Sequence, residues 1–303
     1  MTIFTSFSAI LAALLATSVI QPSLADTESQ TLKAISEVAP HTLNDSGEIL
    51  PHSDGTLFTE DNSGLKLSID NVLASRLETH DNQSNRVLRT ADGFSVVPVA
   101  KNDGSVQTIV VVNEPKLPQK ITFDLDLPSQ SSVKILPSGE VLILDSKGVL
   151  LVGISRPWAF DANRKRVRTH FEFSKGKLSQ YVFHDSTNFK YPIIADPWIG
   201  IDLYHLPWTS PTSQGYKINV KPTLWGLAMT SSGTWFAHRD EVVTKLKNQA
   251  RLWSNTIQEQ FYCHIAGSPA GYPEYNMESW SPLVPWYISL VSYKCNPHNG
   301  TWY

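Results

Sequence analysis

Between Phe94 and Phe183 the chain is a succession of short apolar or alternating runs broken by turn residues, and that spacing leaves little room for anything but antiparallel β structure. Residues 94–99 and 107–112 flank an Asn102-Asp103-Gly104 turn, as in a hairpin. Residues 121–127 alternate strictly between apolar and polar, as a strand with one wet face must. Three more runs, 133–136, 141–144 and 149–154, are separated by Pro137-Ser138-Gly139 and Asp145-Ser146-Lys147-Gly148. These are turn residues, chosen for φ freedom and local side-chain bonding. Residues 169–173 and 178–183 frame a Ser174-Lys175-Gly176-Lys177 turn and make another hairpin. The expectation is a sandwich-like, all-β antiparallel middle module over residues 92–198.

The chain of 303 residues is longer than one such module. Residues 1–25 hold an apolar run, Ala9-Ile10-Leu11-Ala12-Ala13-Leu14-Leu15-Ala16, then Gln21-Pro22-Ser23 and a small-residue end at Ala25. That pattern reads as a cleaved secretory leader with the cut before Asp26, although no Lys or Arg precedes the apolar core. Residues 26–91 are rich in Ser, Asp, Asn, Glu and Thr and read as a polar, weakly ordered lead-in, with 64–69 a lone alternating strand. Pro207, Pro211 and the small polar residues around them mark 199–215 as a linker.

The last part, 216–303, reads as a small α+β domain. Val242, Leu246, Ala250, Trp253, Ile257 and Phe261 recur at helical steps and predict one helix from about His238 to Cys263, with Asp240 and Glu241 in its first turn. Cys263 and Cys295 are the two cysteines. In an oxidising compartment such a pair most simply forms a disulfide. A metal site or a catalytic thiol is the other use of such residues, but Cys263 beside His264 is not a chelating spacing.

A net charge of −3 supplies no basic field for nucleic acid. No later stretch is long and apolar enough to span a bilayer, so beyond the leader the chain does not read as an integral membrane protein. No nucleophile elbow, phosphate loop or zinc pattern is present, and nothing calls for a metal or other cofactor. His264 with a carboxylate such as Glu278 is the one acid/base pair to consider, and it sketches a small secreted hydrolase; a polar residue packed beside a disulfide is the plainer use of His264. Tyr272, Tyr275 and Trp280 are candidate ligand-binding residues in an aromatic-rich domain.

Four ordered blocks carry a resemblance: Pro222-Thr223-Leu224-Trp225-Gly226, Phe261-Tyr262-Cys263-His264, Tyr275-Asn276-Met277-Glu278-Ser279-Trp280-Ser281-Pro282 and Lys294-Cys295-Asn296-Pro297. Over about the last ninety residues the chain resembles a secreted bacterial domain of unknown function, domain of unknown function 2599. The middle region, with Arg156-Pro157-Trp158-Ala159-Phe160-Asp161-Ala162 and Tyr191-Pro192-Ile193-Ile194-Ala195-Asp196-Pro197-Trp198, is similar to β-rich modules of exported actinobacterial-type proteins. The first resemblance brings no activity and the second implies a delivery or pro-segment role; the leader, the change in composition near Trp198 and the aromatic C-terminal domain without a catalytic motif lead to the expectation of an extracellular or envelope-associated interaction or effector domain carried behind an export or pro-module. Its partner would be cell-wall glycan, envelope lipid or another protein.

Overall fold

The computed structural model describes residues 24–43, 56–60, 65–69, 72–73, 87–267 and 274–297. The expected leader therefore lies outside the described residues up to position 23. Helix α1 (Leu24–Val38) opens the described chain, so a cut before Asp26 would fall in its first turn. There follow β1 (Thr56–Glu60), β2 (Leu65–Ile69), β3 (Val72–Leu73), β4 (Leu88–Thr90), β5 (Ser95–Ala100), β6 (Val106–Val112) and β7 (Lys120–Asp126). Next come β8 (Ser132–Ile135), β9 (Val141–Leu144), β10 (Leu150–Ile154), β11 (Trp158–Phe160), β12 (Thr169–Ser174), β13 (Lys177–Val182), β14 (Ile193–Asp196) and β15 (Trp198–Gly200). The C-terminal part adds β16 (Trp208–Thr212), β17 (Gly215–Val220), α2 (Leu224–Ala228), α3 (Trp235–Lys245), α4 (Asn255–Gly267), β18 (Tyr275–Glu278) and α5 (Trp286–Ser292).

Two antiparallel sheets make the expected sandwich. One runs β1-β2-β7-β13-β12; the larger runs β3-β4-β5-β6-β15-β10-β9-β8, with β14 against β6 and β11. Strand β7 alternates because only one face is covered: Ile121, Phe123 and Leu125 point inward while Lys120, Thr122 and Asp124 do not. Strands β5 and β6 are buried on both faces, which is why they read as continuous apolar runs. Their inner face, with Val96, Val110 and Val112, meets Leu67, Phe123 and Leu178 of the smaller sheet.

The outer face of the large sheet is covered twice. Over Val97, Val99, Ile109, Val111 and Ile194 lies α1, burying Ile35, Val38 and Ala39. Arg164 donates to the Glu37 carbonyl from Nε at 3.1 Å and Nη2 at 2.7 Å, placing a cation at the C-terminus of α1 where the dipole favours one. Lys101 Nζ donates to the Thr42 carbonyl just beyond. So the segment expected to be a weakly ordered lead-in contains a packed helix, and its supposedly lone strand, β2, pairs with both β1 and β7. Three apolar residues in each were enough to bury a face.

The C-terminal region covers the rest of that outer face as a third layer. Leu136 and Leu142 of the β module share one core with Leu203, Tyr204, Ile218, Trp225, Met229, Val242 and Phe261. The run expected to be a linker is part of this join: β15 pairs with β6 and β10, β16 pairs with β17, and Leu203 and Tyr204 are buried. Trp225 is the plug. Its ring lies on Gly153 and Gly200, where any Cβ would stand 2.7 and 2.6 Å from the indole. Its backbone N–H donates to Asp103 Oδ2 at 3.0 Å, while Asp103 Oδ1 accepts from Ser105 Oγ, which accepts from Trp198 Nε1.

The single expected helix from His238 is two helices. Lys247 takes φ +51°, a tight turn occupies Lys247–Leu252, and Trp253 is extended before α4 begins. Asp240 and Glu241 consequently sit past the first turn of α3, which starts at Trp235. The stripe itself is right: Val242, Leu246, Ile257 and Phe261 are buried, and half-buried Trp253 meets Phe261 edge-on at 5.2 Å. Cys263 and Cys295 form the disulfide, with Cα atoms 5.3 Å apart.

Candidate functional site

The interior of the C-terminal region is held by neutral and paired polar groups. His238 accepts a hydrogen bond at Nδ1 from Tyr204 Oη (2.7 Å) and donates from Nε2 to the Met229 carbonyl. Burial pushes its ionisation down to about 4, so the ring is neutral at pH 7. Glu241 accepts from the backbone N–H groups of Leu203 and Tyr204, both at 2.9 Å, and pairs with Lys245 at 2.8 Å. These bonds fix the entry of the chain into the third layer.

Three of the four sequence blocks meet around the disulfide, while the first, residues 222–226, lies at the join with the β module. The His264 ring lies flat on Tyr275, with centroids 5.1 Å apart and planes 8° from parallel. Its Nε2–H donates to Asn296 Oδ1 at 3.1 Å, and Asn296 Nδ2 donates to the Asn276 carbonyl at 2.9 Å. Burial of the ring pushes the imidazole down to about 4, against the opposing pull of Asn296 and the Asn276 backbone. Glu278 has other partners. Its carboxylate pairs with Lys217 Nζ at 3.2 Å and accepts from Ser281 Oγ, while its backbone exchanges two hydrogen bonds with the Gln260 side chain. His264 and Glu278 are thus each built into a separate network, and a neutral His264 with its Nε2–H committed is not poised as a general base near pH 7.

Of the three aromatic candidates, Tyr272 lies outside the described residues. Tyr275 is fully buried, because the alternation of β18 sends Tyr275 and Met277 inward. Trp280 is half-buried beside Lys217, whose Nζ is 5.6 Å from the ring centroid. Among the described residues no group of His, Cys, Asp and Glu is placed to hold a metal ion, and no helix is long and apolar enough to cross a membrane.

Several apolar side chains of this region reach the surface, Leu206, Trp208 and Leu224 among them, and the largest group of them lies on and just before α5. Residues 279–293 contain no charged residue, and α5 buries Ser289 and packs Leu290 against Gly267 of α4. Trp286 stands edge-on to Trp235 at 4.9 Å, and its backbone N–H donates to Glu259 Oε2 at 2.7 Å. That anchoring turns the other side outward: Leu283 is 60% exposed, Tyr287 57%, Ile288 42% and Val291 85%. The last three fall on one helical face.

Comparison with known families places this region. Residues 203–298 match the family described as Protein of unknown function (DUF2599). Comparison with curated proteins and with solved structures found no match. The matched stretch therefore begins at Leu203, inside the run expected to be a linker, and it contains the disulfide, the His264–Asn296 contact and all of α5. The exposed ridge on α5 was missed by motif reasoning, which looks for polar chemistry. Its signal was present as the uncharged run 279–293, longer than a strand needs and without a partner pattern.

Proposed function

We propose that this chain is an exported, non-catalytic contact module whose working surface is the apolar ridge Leu283, Tyr287, Ile288 and Val291 on the DUF2599 region. The ridge is the observation that carries the reading. An apolar helical face left in water, such as that of Tyr287, Ile288 and Val291, raises the tendency to aggregate, and in folded proteins such faces mark interaction sites. Here it is held by a disulfide and by Trp286 rather than left loose. Export is supported by the leader-like residues 1–25 and by a disulfide, which persists chiefly in oxidising compartments. The β module then serves as the base on which the contact region is built, with Trp225 as the join.

The test is co-sedimentation of the protein with bacterial envelope fragments. Val291→Asp places a charge on the most exposed residue of the ridge and should leave the melting temperature unchanged while reducing envelope binding by at least ten-fold. Equal co-sedimentation of the two proteins would overturn the reading.

A further inference from the structure

We infer that the outer face of the smaller sheet binds an acidic polysaccharide, one whose sugar rings carry carboxylates. This face belongs to the β module and is separate from the α5 ridge. A local excess of charge builds it: the whole chain carries −3, yet residues 161–190 hold seven Lys and Arg against three Asp and Glu. Val167 is buried, so alternation along the strand turns exposed Arg166 and Arg168 outward on either side of it. The next outward position on β12 is His170. Its register partner on β13 is Tyr181, and the partner of Tyr181 on β7 is exposed Lys120.

Aromatic rings hold these cations in a row. The His170 ring stacks on Tyr181 at 5.1 Å and on Phe183 at 5.4 Å. The Arg168 guanidinium lies 4.1 Å from the centre of the Phe183 ring, and Lys120 Nζ lies 5.9 Å from that of Tyr181. Contact with a ring positions a cation without cancelling its charge. Among the described residues no carboxylate pairs with Lys120, Arg166 or Arg168.

The carboxylates of this part of the module narrow the class of anion. Asp124 pairs with Lys177 at 2.7 Å, Asp161 is buried and accepts from the N–H groups of Asn163, Lys165 and Lys190, and Asp185 accepts from Thr187 and Asn188. Glu172 is different. It stands in the row itself, two positions beyond His170, with Oε1 3.3 Å from His170 Nε2. A carboxylate there repels a partner that presents only acceptors, such as a phosphate backbone. A glycan of uronic acids presents both kinds of group: hydroxyls that donate to Glu172, and carboxylates that accept from Arg166, Arg168 and Lys120. The Tyr181 hydroxyl serves either. A lipid surface is not matched, since among the described residues no strand of the smaller sheet carries an exposed large apolar side chain.

The experiment is titration of the full chain with polygalacturonate, a linear polymer of uronic acid rings, against three comparison polymers. Dextran is a neutral glycan, polyglutamate carries carboxylates without hydroxyls, and single-stranded poly(dT) carries phosphates. Polygalacturonate should bind most tightly of the four and lose affinity as salt rises. Arg168→Gln and, on a separate strand, Lys120→Gln should each weaken that binding by about five-fold while the melting temperature stays the same. Glu172→Ala should tighten binding of polyglutamate and weaken binding of polygalacturonate, a split that a purely structural role would not produce. Failure to bind polygalacturonate, or affinity for dextran, polyglutamate or poly(dT) that equals or exceeds it, would overturn the inference. So would unchanged binding in both Arg168→Gln and Lys120→Gln.

Discussion

The indole of Trp225 crosses Gly200 so closely that a methyl group on the glycine would stand 2.6 Å from Trp225 Cδ2. Gly200→Ala should therefore force the ring or the strand to shift and cost at least about 1–3 kcal/mol. Trp225→Ala should cost about 3–5 kcal/mol. Because Trp225 is shared between the sheet and the C-terminal layer, both variants should lower one common calorimetric transition. Two separate transitions in the unmodified protein, with only the second responding, would show that the layers fold independently.

Helix α1 and the residues just after it, Ala39 and Leu43, pack over the face formed by Val97, Val99, Ile109, Val111 and Ile194. A chain begun at Asp26 should remain monomeric and bind little hydrophobic dye, whereas one begun at Asn44 should bind dye strongly and self-associate. Arg164→Ala should cost about 1 kcal/mol by removing the cation from the Glu37 carbonyl. Dye binding that is the same for both truncations would mean that α1 does not seal this face.

Stability should depend on pH through groups that pull in opposite directions. His238 and His264 ionise near 4 in the folded chain, below their ordinary 6.5, so each contributes stability above pH 6.5 that is lost as pH falls toward 4. Asp196, fully buried and accepting from Gln107 Nε2 at 2.6 Å, is raised by burial to about 7. Its folded form holds the proton more tightly than the unfolded chain does, so it favours folding at low pH and loses that contribution between about pH 4 and 7. Asp196→Asn should thus gain stability relative to the unmodified protein as pH rises through that window, by on the order of 3–4 kcal/mol, and no further above it. Melting curves of the two proteins from pH 4 to 8 check this; a constant difference would mean that Asp196 does not change ionisation on folding.

Reduction of Cys263–Cys295, which are separated by 32 positions, should cost about 3–4 kcal/mol in the chain-entropy view. With a shared core, that loss should appear in the common transition rather than in a separate one. Thiol titration of the unfolded, unreduced protein should find no reactive thiol.

The β sandwich was legible because its signals are local. Alternation in β7 and the Gly-containing turns each speak for a few neighbouring residues. The third layer was not legible, because its signals are spread over distant positions: two strand glycines, 153 and 200, mean nothing until Trp225 packs on them. Residues 199–215 misled for a related reason. Pro211 suggested a linker, yet it sits in β16, the edge of a three-stranded sheet, where a missing N–H is tolerated. The helix break at Lys247 was hidden as well, since Lys is a good helix former and the Tyr216 bond to Leu252, which holds the turn that follows, comes from a distant strand. For the candidate site, sequence placed His264 beside the disulfide correctly but could not tell a neutral, packed imidazole from a working one.

Because Cys263 and Cys295 enclose the whole of α5, the ridge sits on a covalently closed ring. A protease that cuts once anywhere between residues 264 and 294 opens the ring without freeing either end of it. In an environment rich in secreted proteases, a surface mounted this way remains attached after a first hit, and only a second cut or a reductant can carry it off.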